Sequence, residues 1–433
     1  MKTVRLETMC EKIGSGATPR GGAEVYLSSG IALIRSQNVY NDGFHSEGLA
    51  YIREQHAREL ENVVVEPDDV LLNITGDSVA RCCQVPRYVL PARVNQHVAI
   101  IRPRRNKLNP AFLRYYLVAP SSQRHLLSLA SAGATRNALT KGMIGDLHVP
   151  CPTLSEQSTI ATILGTLDDK IELNRRMNET LEAIARAIFK SWFVDFDPVR
   201  AKAEGGQPAI TSSVSRLFPR RFVLGVPEGW SYQELQTWCD SIDNGGTPKR
   251  MVSQYWDNGA IPWFKTGELK DCPLIDSEEH ISEIGLRESA CSLWPIGTIL
   301  VALYASPTVG RLGILAVPGA ANQACSALQI SSAYGNHFAF HSLLSIRDEL
   351  QRVAVGAAQQ NISQQVLRKH RVLSPTKEIA KGFSDLVDPL WQKQTQNLRE
   401  SGTLASLRDV LLPKLLSGEI RVKEAEKAVE AVV

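Results

Sequence analysis

The residues that come closest to a catalytic set are Asp257 and the segment Glu268-Leu269-Lys270. Two carboxylates and a lysine at such spacing could hold a metal ion and activate water for phosphodiester cleavage. The related segment nearer the N-terminus, Asn38-Val39-Tyr40, has neither a carboxylate nor a lysine. Because the pattern is short and is not repeated there, we interpret it as a chance match. The sequence therefore predicts no catalytic residue and no metal site.

Three further features that could belong to an enzyme have simpler structural interpretations. Asn109-Pro110-Ala111-Phe112 carries part of the Asn-Pro-Pro-Tyr/Phe pattern of amino-methyltransferases, but the second proline is missing and no glycine-rich cofactor-binding turn precedes it. Asparagine followed by proline is typical of a helix N-terminus, so we predict an N-cap at Asn109. The glycine-rich segment 14–22 has no P-loop lysine, and a turn that needs positive φ accounts for it. His97 and His337 have no serine, cysteine or aspartate that the sequence places beside them.

Composition indicates a globular protein of two or three domains. The 433 residues are 43% hydrophobic and 21% charged, with a net charge of +3. This charge is too small to indicate nucleic-acid binding by itself, and the basic stretches 102–107 and 219–221 are interpreted as solvated surface loops. The sequence shows neither an apolar run long enough for a membrane span nor the apolar core of a signal peptide. The eight cysteines have no zinc-ligand spacing, so we expect reduced thiols and a cytoplasmic location.

The segment 153–194 is predicted to be one long helix that holds two domains apart or binds another helix. Thr153 and Glu156 form a capping box, and Gly165 is the only helix-breaking residue in the rest of the segment. At about 1.5 Å per residue the helix would be roughly 55–60 Å long, too long for the core of one small domain. Apolar residues recur at mostly three- and four-residue spacing and make one stripe hydrophobic: Ile160, Leu164, Leu167, Ile171, Met177, Leu181, Ile184 and Ile188.

The chain also contains an internal repeat. GATPR at 16–20 recurs as GGTPK at 245–249, and IALIRSQNV at 31–39 recurs as IPWFKTGEL at 261–269. Each copy then reaches a Pro-Thr pair and turns helical. A repeat with a period of about 225–230 residues is a duplicated domain and not a solenoid unit, and it predicts a pseudo-two-fold molecule.

Each copy is predicted to be a mixed α/β (α+β) domain that leads into its own long helix. The predicted segments are 1–152 and 230–374 for the domains, 153–194 and 375–420 for the helices, 195–229 for a loop-rich linker and 421–433 for a frayed tail. Within the domains we predict strands at 31–35, 69–74, 97–102, 261–264, 298–303 and 325–330, and helices at 110–129 and 337–353.

The second long helix is less regular than the first. Its apolar stripe includes Leu404, Leu407, Leu411 and Leu415. Proline and glycine within it predict kinks or breaks at Pro389 and Gly402 and a disturbed last turn at Pro413, and Gly418 predicts its end.

These features together resemble the specificity subunit of type I restriction-modification systems over nearly the whole chain. The strongest carriers of the resemblance are the central segment PTLSEQSTIATILGTLDDKIELNRRMNETLEAIARAIFKSWFVDFDP and the segment LRDVLLPKLLSGEI at 407–420. The opening of the second copy, with VPEGW, NGGTPK and GAIPWFKTGEL, is also typical of this family. The first copy departs from the pattern because it lacks the Pro-x-Gly-Trp opening.

The resemblance implies that each copy is a target recognition domain that reads one half of a split DNA sequence. It also implies that the two long helices pack antiparallel as a spacer that sets the gap between the half-sites. It implies double-stranded DNA and two modification (methyltransferase) subunits as partners, with restriction (endonuclease and translocase) subunits as optional further partners. The chain itself would be non-catalytic and without a cofactor, whereas its partners would use S-adenosylmethionine, ATP and Mg²⁺. The helix residues expected to bind the partner subunits are Ile160, Leu164, Leu167, Ile171, Leu181, Ile184, Leu404, Leu407, Leu411 and Leu415.

The candidate base-reading residues are polar side chains in loops that both copies share. Asparagine and glutamine pair with adenine, and arginine and lysine pair with guanine. The DNA-binding candidates are Arg35, Ser36, Gln37, Asn38, Arg81, Arg136 and Asn137 in the first copy, and Lys265, Thr266, Glu268, Arg311, Gln359 and Gln360 in the second, with Asn361 beside them. For each of them the alternative is a turn residue that satisfies backbone groups.

Positions that differ between the copies are the better candidates for specificity, since two different half-sites need different side chains. Gln37 and its counterpart Gly267 are such positions. The pair Asn95-Gln96 recurs unchanged as Asn322-Gln323, which favours a scaffold role. Two other functions stay open from the sequence: a coiled-coil scaffold protein that does not read DNA sequence, and a self-contained methyltransferase or nuclease.

Overall fold

The structure is a computed structural model that describes residues 3–131, 137–208, 210–304, 307–353 and 361–432. The chain forms two compact units, Met1–Glu172 with Gly402–Val433, and Leu173–Ser401. Each unit combines one globular domain with one part of each long helix. The domain and helix boundaries that we assign from the sequence therefore remain predictions, since this division lies inside the helices.

The first domain is built from ten strands and four short helices, and it leads into the first long helix. In chain order these are β1 Thr3–Arg5, β2 Cys10–Ser15, β3 Ile31–Ile34, β4 Ala50–Ile52, α1 Glu54–Glu59, β5 Val64–Val65, β6 Val70–Asn73, β7 Cys82–Gln84, β8 Ala92–Val94, β9 Val98–Pro103, α2 Pro110–Val118, α3 Pro120–Ser131, α4 Lys141–Gly145, β10 His148–Pro150 and α5 Leu154–Phe193. The sheets have the orders β2-β9-β6-β7, β4-β3-β8-β5 and β1-β10.

The second domain follows a short connecting region and leads into the second long helix. The connecting region contains α6 Asp197–Ala203, α7 Ser212–Ser215, β11 Phe222–Val223 and β12 Val226–Pro227. The domain contains β13 Ser231–Glu234, β14 Cys239–Asn244, β15 Ile261–Phe264, β16 Cys272–Leu274, β17 His280–Ile281, α8 Glu283–Arg287, β18 Ile299–Ala302, β19 Leu312–Leu315, β20 Ala320–Ala321, β21 Cys325–Ile330, α9 Asn336–Ser345, α10 Arg347–Arg352, α11 Gln364–Lys369 and β22 Arg371–Ser374. It is followed by α12 Lys377–Ser417 and α13 Val422–Glu430.

The two domains share one topology, which confirms the predicted mixed α/β class and the internal repeat. The order β14-β21-β18-β19 repeats β2-β9-β6-β7, with β16 added at one edge of the second sheet. The parallel pair β15·β20 repeats β3·β8, and the antiparallel pair β13·β22 repeats β1·β10. All six predicted strands are present within one residue at either end. They were recognisable because each is a short apolar run in the interior of a sheet: β6, β9, β18 and β21 in the two main sheets, and β3 and β15 in two other sheets.

The first long helix begins at the predicted capping box. The backbone N–H of Glu156 donates to the hydroxyl of Thr153, and the Glu156 carboxylate accepts from the Thr153 backbone N–H at 2.9 Å. These reciprocal bonds satisfy two amide groups that the first helical turn leaves without partners.

The second long helix is continuous, which corrects the predicted breaks at Pro389 and Gly402 and the disturbance at Pro413. A proline inside a helix costs about 3 kcal/mol, but the flanking turns of α12 bury Phe383, Val387 and other apolar side chains in the domain cores. Tertiary packing therefore outweighs the local cost. The helix ends before Gly418, which has φ +77° and whose N–H bonds to the carbonyl of Leu415, as predicted.

Three other predictions about helices and the tail are corrected, and the linker predicted to be loop-rich also contains a helix. The single helix predicted at 110–129 is two helices, because Ala119 precedes Pro120 and takes an extended conformation with ψ 140°. The helix predicted at 337–353 is divided between α9 and α10. The tail predicted to be frayed forms α13, which buries Ala425 and Val429 in the core of the first unit. The predicted loop-rich linker contains α6, whose Val199 is fully buried.

Glycines at the start of each repeat allow two backbone segments to lie close together. Gly21 and Gly22 have the positive φ that we predict, but Gly16 and its counterpart Gly245 do not. A Cβ on Gly16 would lie 2.1 Å from the carbonyl oxygen of Val94, and one on Gly245 would lie 2.0 Å from that of Asn322. Only glycine lets the two segments come this near.

We therefore expect Gly16→Ala to destabilise the protein by about 1–3 kcal/mol, since a backbone oxygen cannot move aside as a flexible side chain can. Gly14→Ala is the matched control, because a Cβ at Gly14 meets no atom within 4 Å. Urea unfolding of both variants measures the difference. Equal midpoints for the two variants would contradict the close-approach account.

Candidate nucleic-acid interface

The first set of candidate residues forms a 3₁₀ turn directly after β3. The Asn38 side chain is fully buried, and its Oδ1 accepts from the backbone N–H of Arg35 at 3.1 Å. Its Nδ2 donates to the carbonyl of His45 at 2.8 Å, so Asn38 holds the turn together and is not available to a base. Gln37 is exposed at the tip of the turn and donates to the carbonyl of Gly48 at 3.1 Å. Arg35 is half-buried and donates to the same carbonyl at 2.6 Å.

The second domain repeats this turn after β15 with different residues. The carboxylate of Glu268 accepts the backbone N–H of Lys265 at 2.9 Å and that of Glu278 at 2.9 Å. Glu268 therefore replaces Asn38 as the cap of the turn. Lys265 lies in the place of Arg35, and its ammonium group contacts the carboxylates of Glu278 at 3.0 Å and Glu279 at 3.3 Å. Thr266 is half-buried and Gly267 is exposed in the same turn.

The repeated asparagines have the scaffold role that their identity suggests. Oδ1 of Asn95 accepts the backbone N–H of His97 at 3.2 Å, and Oδ1 of Asn322 accepts that of Ala324 at 3.2 Å. The backbone N–H of Asn95 bonds to the end of β3, and that of Asn322 bonds to the end of β15. Each asparagine thus supports the turn that carries the candidate residues.

The remaining candidates lie in separate loops. Arg81 is half-buried, with its guanidinium 4.6 Å from the ring centroid of Tyr40, while Arg311 is half-buried and Asn137 is exposed. Arg136, Gln359 and Gln360 lie outside the described residues.

Two exposed groups on the same domains were missed by the sequence analysis. Arg250 stacks against Trp256 at 3.8 Å and lies 4.9 Å from the ring centroid of Trp263, next to Met251, whose side chain is 98% exposed. Tyr88 is 70% exposed in the first domain. The signal for Arg250 was the Trp-rich segment that follows GGTPK, because guanidinium groups stack on aromatic rings.

The features that could have indicated an enzyme have structural roles. The side chain of Asn109 caps α2 by accepting from the backbone N–H of Phe112 at 3.1 Å, as predicted. His337 is buried beside Asp388 at 3.2 Å, and its burial lowers the pKa of the imidazole despite the nearby carboxylate. His97 contacts the Thr75 hydroxyl at 2.6 Å. In the part of the chain that the structure describes, no group of three or more His, Cys, Asp or Glu side chains could hold a metal ion.

Arginine side chains of the basic loop 102–107 form ion pairs with carboxylates of the same domain. Arg102 donates to both carboxylate oxygens of the fully buried Asp69, each at 2.8 Å. Arg105 pairs with Asp68 at 2.6 Å. These contacts agree with the interpretation of this loop as surface structure and not as a phosphate clamp.

Most of the helix residues predicted to bind partner subunits are instead buried in this chain. Ile160, Leu164, Leu167, Leu404, Leu411 and Leu415 are at most 4% exposed and belong to the core of the first unit, with Ile171 and Leu407 packed against that core. This is a correction, because a stripe that closes the helix pair on its own domain cannot also contact another subunit. Leu181 is half-buried and Ile184 is 43% exposed.

A second line of apolar residues, in the middle of α5, is exposed. Leu173, Met177 and Ile184 are 53%, 36% and 43% exposed, and Leu181 is half-buried between them. Their spacing of three and four residues places them on one face of the helix. This face could not be separated from the buried one in the sequence, because both follow the same periodicity.

A comparison with protein families assigns the chain. The model for the type I restriction modification DNA specificity domain matches residues 1–183 and 227–400. The chain belongs to this family. As a DNA specificity subunit of a type I restriction-modification system, it has the function that its motifs and repeat suggested.

Relatives of this specificity subunit match it along nearly the full length. It is 28% identical to the type I restriction enzyme HindI specificity subunit of Haemophilus influenzae, over 90% of this chain and 94% of that protein. It is 25% identical to the type I restriction enzyme MjaIX specificity subunit of Methanocaldococcus jannaschii, over 95% and 92%. Its fold is similar to the crystal structure of a type I S subunit from M. genitalium, with a TM-score of 0.58, 14% identity and 96% and 95% coverage.

One physical property of the specificity subunit concerns membranes. Among the described residues, none of the helices combines the length and the apolar character needed to cross a bilayer.

Proposed function

We propose that each domain reads one half of a bipartite DNA target, and that the chain directs separate catalytic subunits to that target without catalysis of its own. The observation that carries this proposal is the repeated topology in which each domain leads directly into its own long helix. Two copies of a DNA-reading domain suit a bipartite target, because each domain can then contact the base edges of its own half-site. The partners would be two modification subunits, which would methylate adenine with S-adenosylmethionine, and restriction subunits that would use ATP and Mg²⁺.

The turns after β3 and β15 are the proposed reading elements. Both turns are held rigidly by a buried or half-buried cap, Asn38 or Glu268, and both present exposed positions at Gln37 and Gly267. In such a turn the backbone conformation is fixed by the cap, whereas the residue at the exposed position can differ from one turn to the other. This arrangement lets the half-site change between relatives while the fold stays the same.

We expect Gln37→Ala to alter recognition of one half-site only. A side chain that reads a base contributes about 1–3 kcal/mol, so affinity for the cognate DNA should fall by roughly 5- to 150-fold. Binding of the assembled complex to duplexes with single substitutions in each half-site measures this effect. Gln96→Ala is the matched control, since Gln96 is an exposed glutamine in a loop that both domains share. An unchanged affinity and motif for Gln37→Ala would remove Gln37 from the reading set.

The exposed face of α5 is the proposed docking surface for a modification subunit. The residues Leu173, Met177, Leu181 and Ile184 define this α5 face, and each of them is apolar and at least partly exposed. Apolar residues aligned along one face of a helix are a common way to bind a partner helix or groove.

We expect Ile184→Glu to prevent assembly with the modification subunit and to leave the chain folded. A charge placed in an apolar contact must lose its water on binding, which opposes association. Co-purification of the two subunits measures assembly, and circular dichroism measures folding. Leu293→Glu is the control, because Leu293 is similarly exposed, at 48%, but belongs to the second domain and not to α5. Normal assembly of the Ile184 variant would exclude the α5 face as the docking surface.

A further inference from the structure

The second domain has a tight turn at residues 249–252 in which a methionine is exposed beside two cations. The backbone N–H of Val252 donates to the carbonyl of Lys249 at 3.2 Å, so Arg250 and Met251 occupy the two central positions of the turn. The Met251 side chain is 98% exposed, and both cations are exposed too. We call Lys249, Arg250 and Met251 the Lys-Arg-Met tip. Because Met251 buries almost no surface in this chain, it contributes almost nothing to the fold and is available to a partner.

Aromatic packing holds the Lys-Arg-Met tip in place. The guanidinium of Arg250 stacks on Trp256 at 3.8 Å, and Nε1 of the same indole donates to the carbonyl of Lys249 at 3.3 Å. Trp256 in turn packs edge-on against the buried Trp263 at 5.1 Å. The backbone of the tip is therefore fixed, and Met251 can contact a partner with little further loss of conformational entropy.

One carboxylate joins the Lys-Arg-Met tip to the turn after β15. Glu279 forms an ion pair with Arg250 through one oxygen, and its other oxygen lies 3.3 Å from the ammonium group of Lys265. Lys265 belongs to the turn that we propose as the reading element of this domain. Two cations that share one carboxylate must lie close together, so a DNA duplex that contacts this turn is also within reach of the tip.

The first domain has the first cation of the tip but not its apolar side chain. In the register that aligns GATPR with GGTPK, Lys249 corresponds to Arg20. The next two residues, Arg250 and Met251, correspond to the glycines at 21 and 22. Phosphate contacts position a DNA-binding protein without reading sequence, whereas base contacts specify the sequence. A shared cation followed by different residues is the pattern expected of a phosphate contact beside a base contact.

The residues of the Lys-Arg-Met tip differ in what they can offer to DNA. Lys249 is exposed and carries the charge that binds a phosphate. Methionine is apolar and unbranched, so Met251 can adapt to the methyl group of thymine or to the face of a base. Arg250 is engaged by Trp256 and Glu279, so it positions the tip.

We propose that the Lys-Arg-Met tip is a second DNA-contacting element of the second domain, in which Met251 reads a base through an apolar contact and Lys249 binds a nearby phosphate. This role rests on the proposed function and deepens it, because it adds a residue that determines specificity. It also makes the two domains unequal, since the first domain has only glycines where the second has Arg250 and Met251.

The base contact is tested with Met251→Ala, assembled with the modification subunits as for the wild type. Binding is measured on duplexes that carry the split motif found by methylation sequencing of the host, and on duplexes with single base-pair changes in it. We expect the variant to bind the unchanged motif roughly 5- to 150-fold more weakly, and to lose discrimination at one base pair of the half-site that Gln37→Ala leaves unchanged. Met251→Leu keeps an apolar side chain and should retain both affinity and discrimination.

The phosphate contact is tested separately with Lys249→Ala. Loss of a phosphate contact weakens binding to all duplexes alike and makes the slope of log affinity against log salt concentration shallower by about 1. Ile296→Ala is the control, because Ile296 is an apolar residue of the same domain that is 64% exposed but lies outside the tip. It should change neither the discrimination nor the salt dependence.

The outcomes separate a failure of this role from a failure of the proposed function. Wild-type affinity and discrimination in Met251→Ala would overturn the role of the tip and leave the proposed function intact. An equal loss on every duplex, or a lower urea midpoint for this variant, would also overturn it, because Met251 is assigned to base reading and not to the fold. A wild-type complex that binds all duplexes equally would instead contradict the proposed function itself.

Discussion

Asp168→Ala is expected to destabilise the first unit by about 3–5 kcal/mol, which is the usual cost of leaving a buried charge unpaired. The Asp168 carboxylate on α5 accepts from the guanidinium of Arg114 at 2.7 Å, from the hydroxyl of Tyr115 at 2.7 Å and from the guanidinium of Arg408 at 2.7 Å. Arg114 and Tyr115 belong to α2 of the domain, and Arg408 belongs to α12. One carboxylate therefore joins the domain to both long helices.

The matched control is Asp169→Ala, which changes the same residue type one position further along the same helix. Asp169 is exposed, so its replacement should change the free energy of unfolding by less than about 0.5 kcal/mol. Urea unfolding followed by circular dichroism compares both variants with the wild type. A loss of equal size at the two positions would show that Asp168 does not act through its three partners.

The advantage of the wild type over Asp168→Ala should also depend on pH. Burial raises the pKa of Asp168, but Arg114, Arg408 and the Tyr115 hydroxyl outweigh burial and hold it below its usual value. A carboxyl whose pKa is lowered by folding stabilises the protein fully above the unfolded pKa of about 3.9, and this contribution is lost as the pH falls through the folded pKa. We therefore expect the full difference between wild type and variant at pH 7, and a smaller difference below about pH 4.

Phe383→Ala is expected to destabilise the second unit by about 3–5 kcal/mol, because it leaves a large cavity in an aromatic core. Phe383 is fully buried, and its ring centroid lies 5.6 Å from Phe189, 5.9 Å from Trp192 and 5.3 Å from Phe193. These edge-on contacts join α12 to the C-terminal end of α5. Each such pair adds about 0.5–1.5 kcal/mol beyond the burial of apolar area.

Leu386→Ala provides the control for this cavity, since Leu386 lies one turn further along α12 and is 44% exposed. It should lower the free energy of unfolding by about 1 kcal/mol or less. All seven tryptophans belong to the second unit, and Trp192 lies against Phe383, so tryptophan fluorescence during urea unfolding reports the loss of structure in that unit. A Phe383 variant that unfolds at the wild-type midpoint would contradict the assignment of this cluster as the centre of the second unit.

In both units a helix of the domain contacts a long helix at equivalent positions, but the contacting side chains differ in kind. This difference could not be predicted from the sequence. The position of Asp168 in the first copy is occupied by Trp391 in the second, and that of Arg114 is occupied by Phe340. Phe340 and Trp391 pack edge-on at 5.7 Å, where the first unit has its ion pair. The repeat predicts that these two positions are in contact in each unit. Whether the contact is an ion pair or an aromatic pair depends on both residues together, so neither position predicts it alone.

Local signals were sufficient for the strands, the caps and the repeat. Helix ends depend on residues within one helical turn, so the local sequence is enough to predict them. This holds for the capping box at Thr153, the N-cap at Asn109 and the end of α12 before Gly418. The continuity of α12 through Pro389 was missed, because contacts distant in sequence outweigh a local propensity.

The candidate site was only partly accessible from the sequence. The sequence predicts loops after β3 and β15, and the structure has a turn at each place, while the role of these turns in DNA binding stays a prediction. The sequence does not show which of their side chains form hydrogen bonds within the turn. Asn38 and Glu268 proved to be caps, and Lys265 is engaged by Glu278 and Glu279. The buried and exposed stripes of α5 share one periodicity, so only packing could separate Leu164 from Ile184.

The most direct test of the central claim is single-molecule methylation sequencing of the host genome with and without this gene. We expect one split, adenine-methylated motif to disappear on deletion, and exchange of residues 1–152 for those of a relative to change only one half of it. A methylation pattern that is the same with and without the gene would contradict the claim that this chain determines sequence specificity.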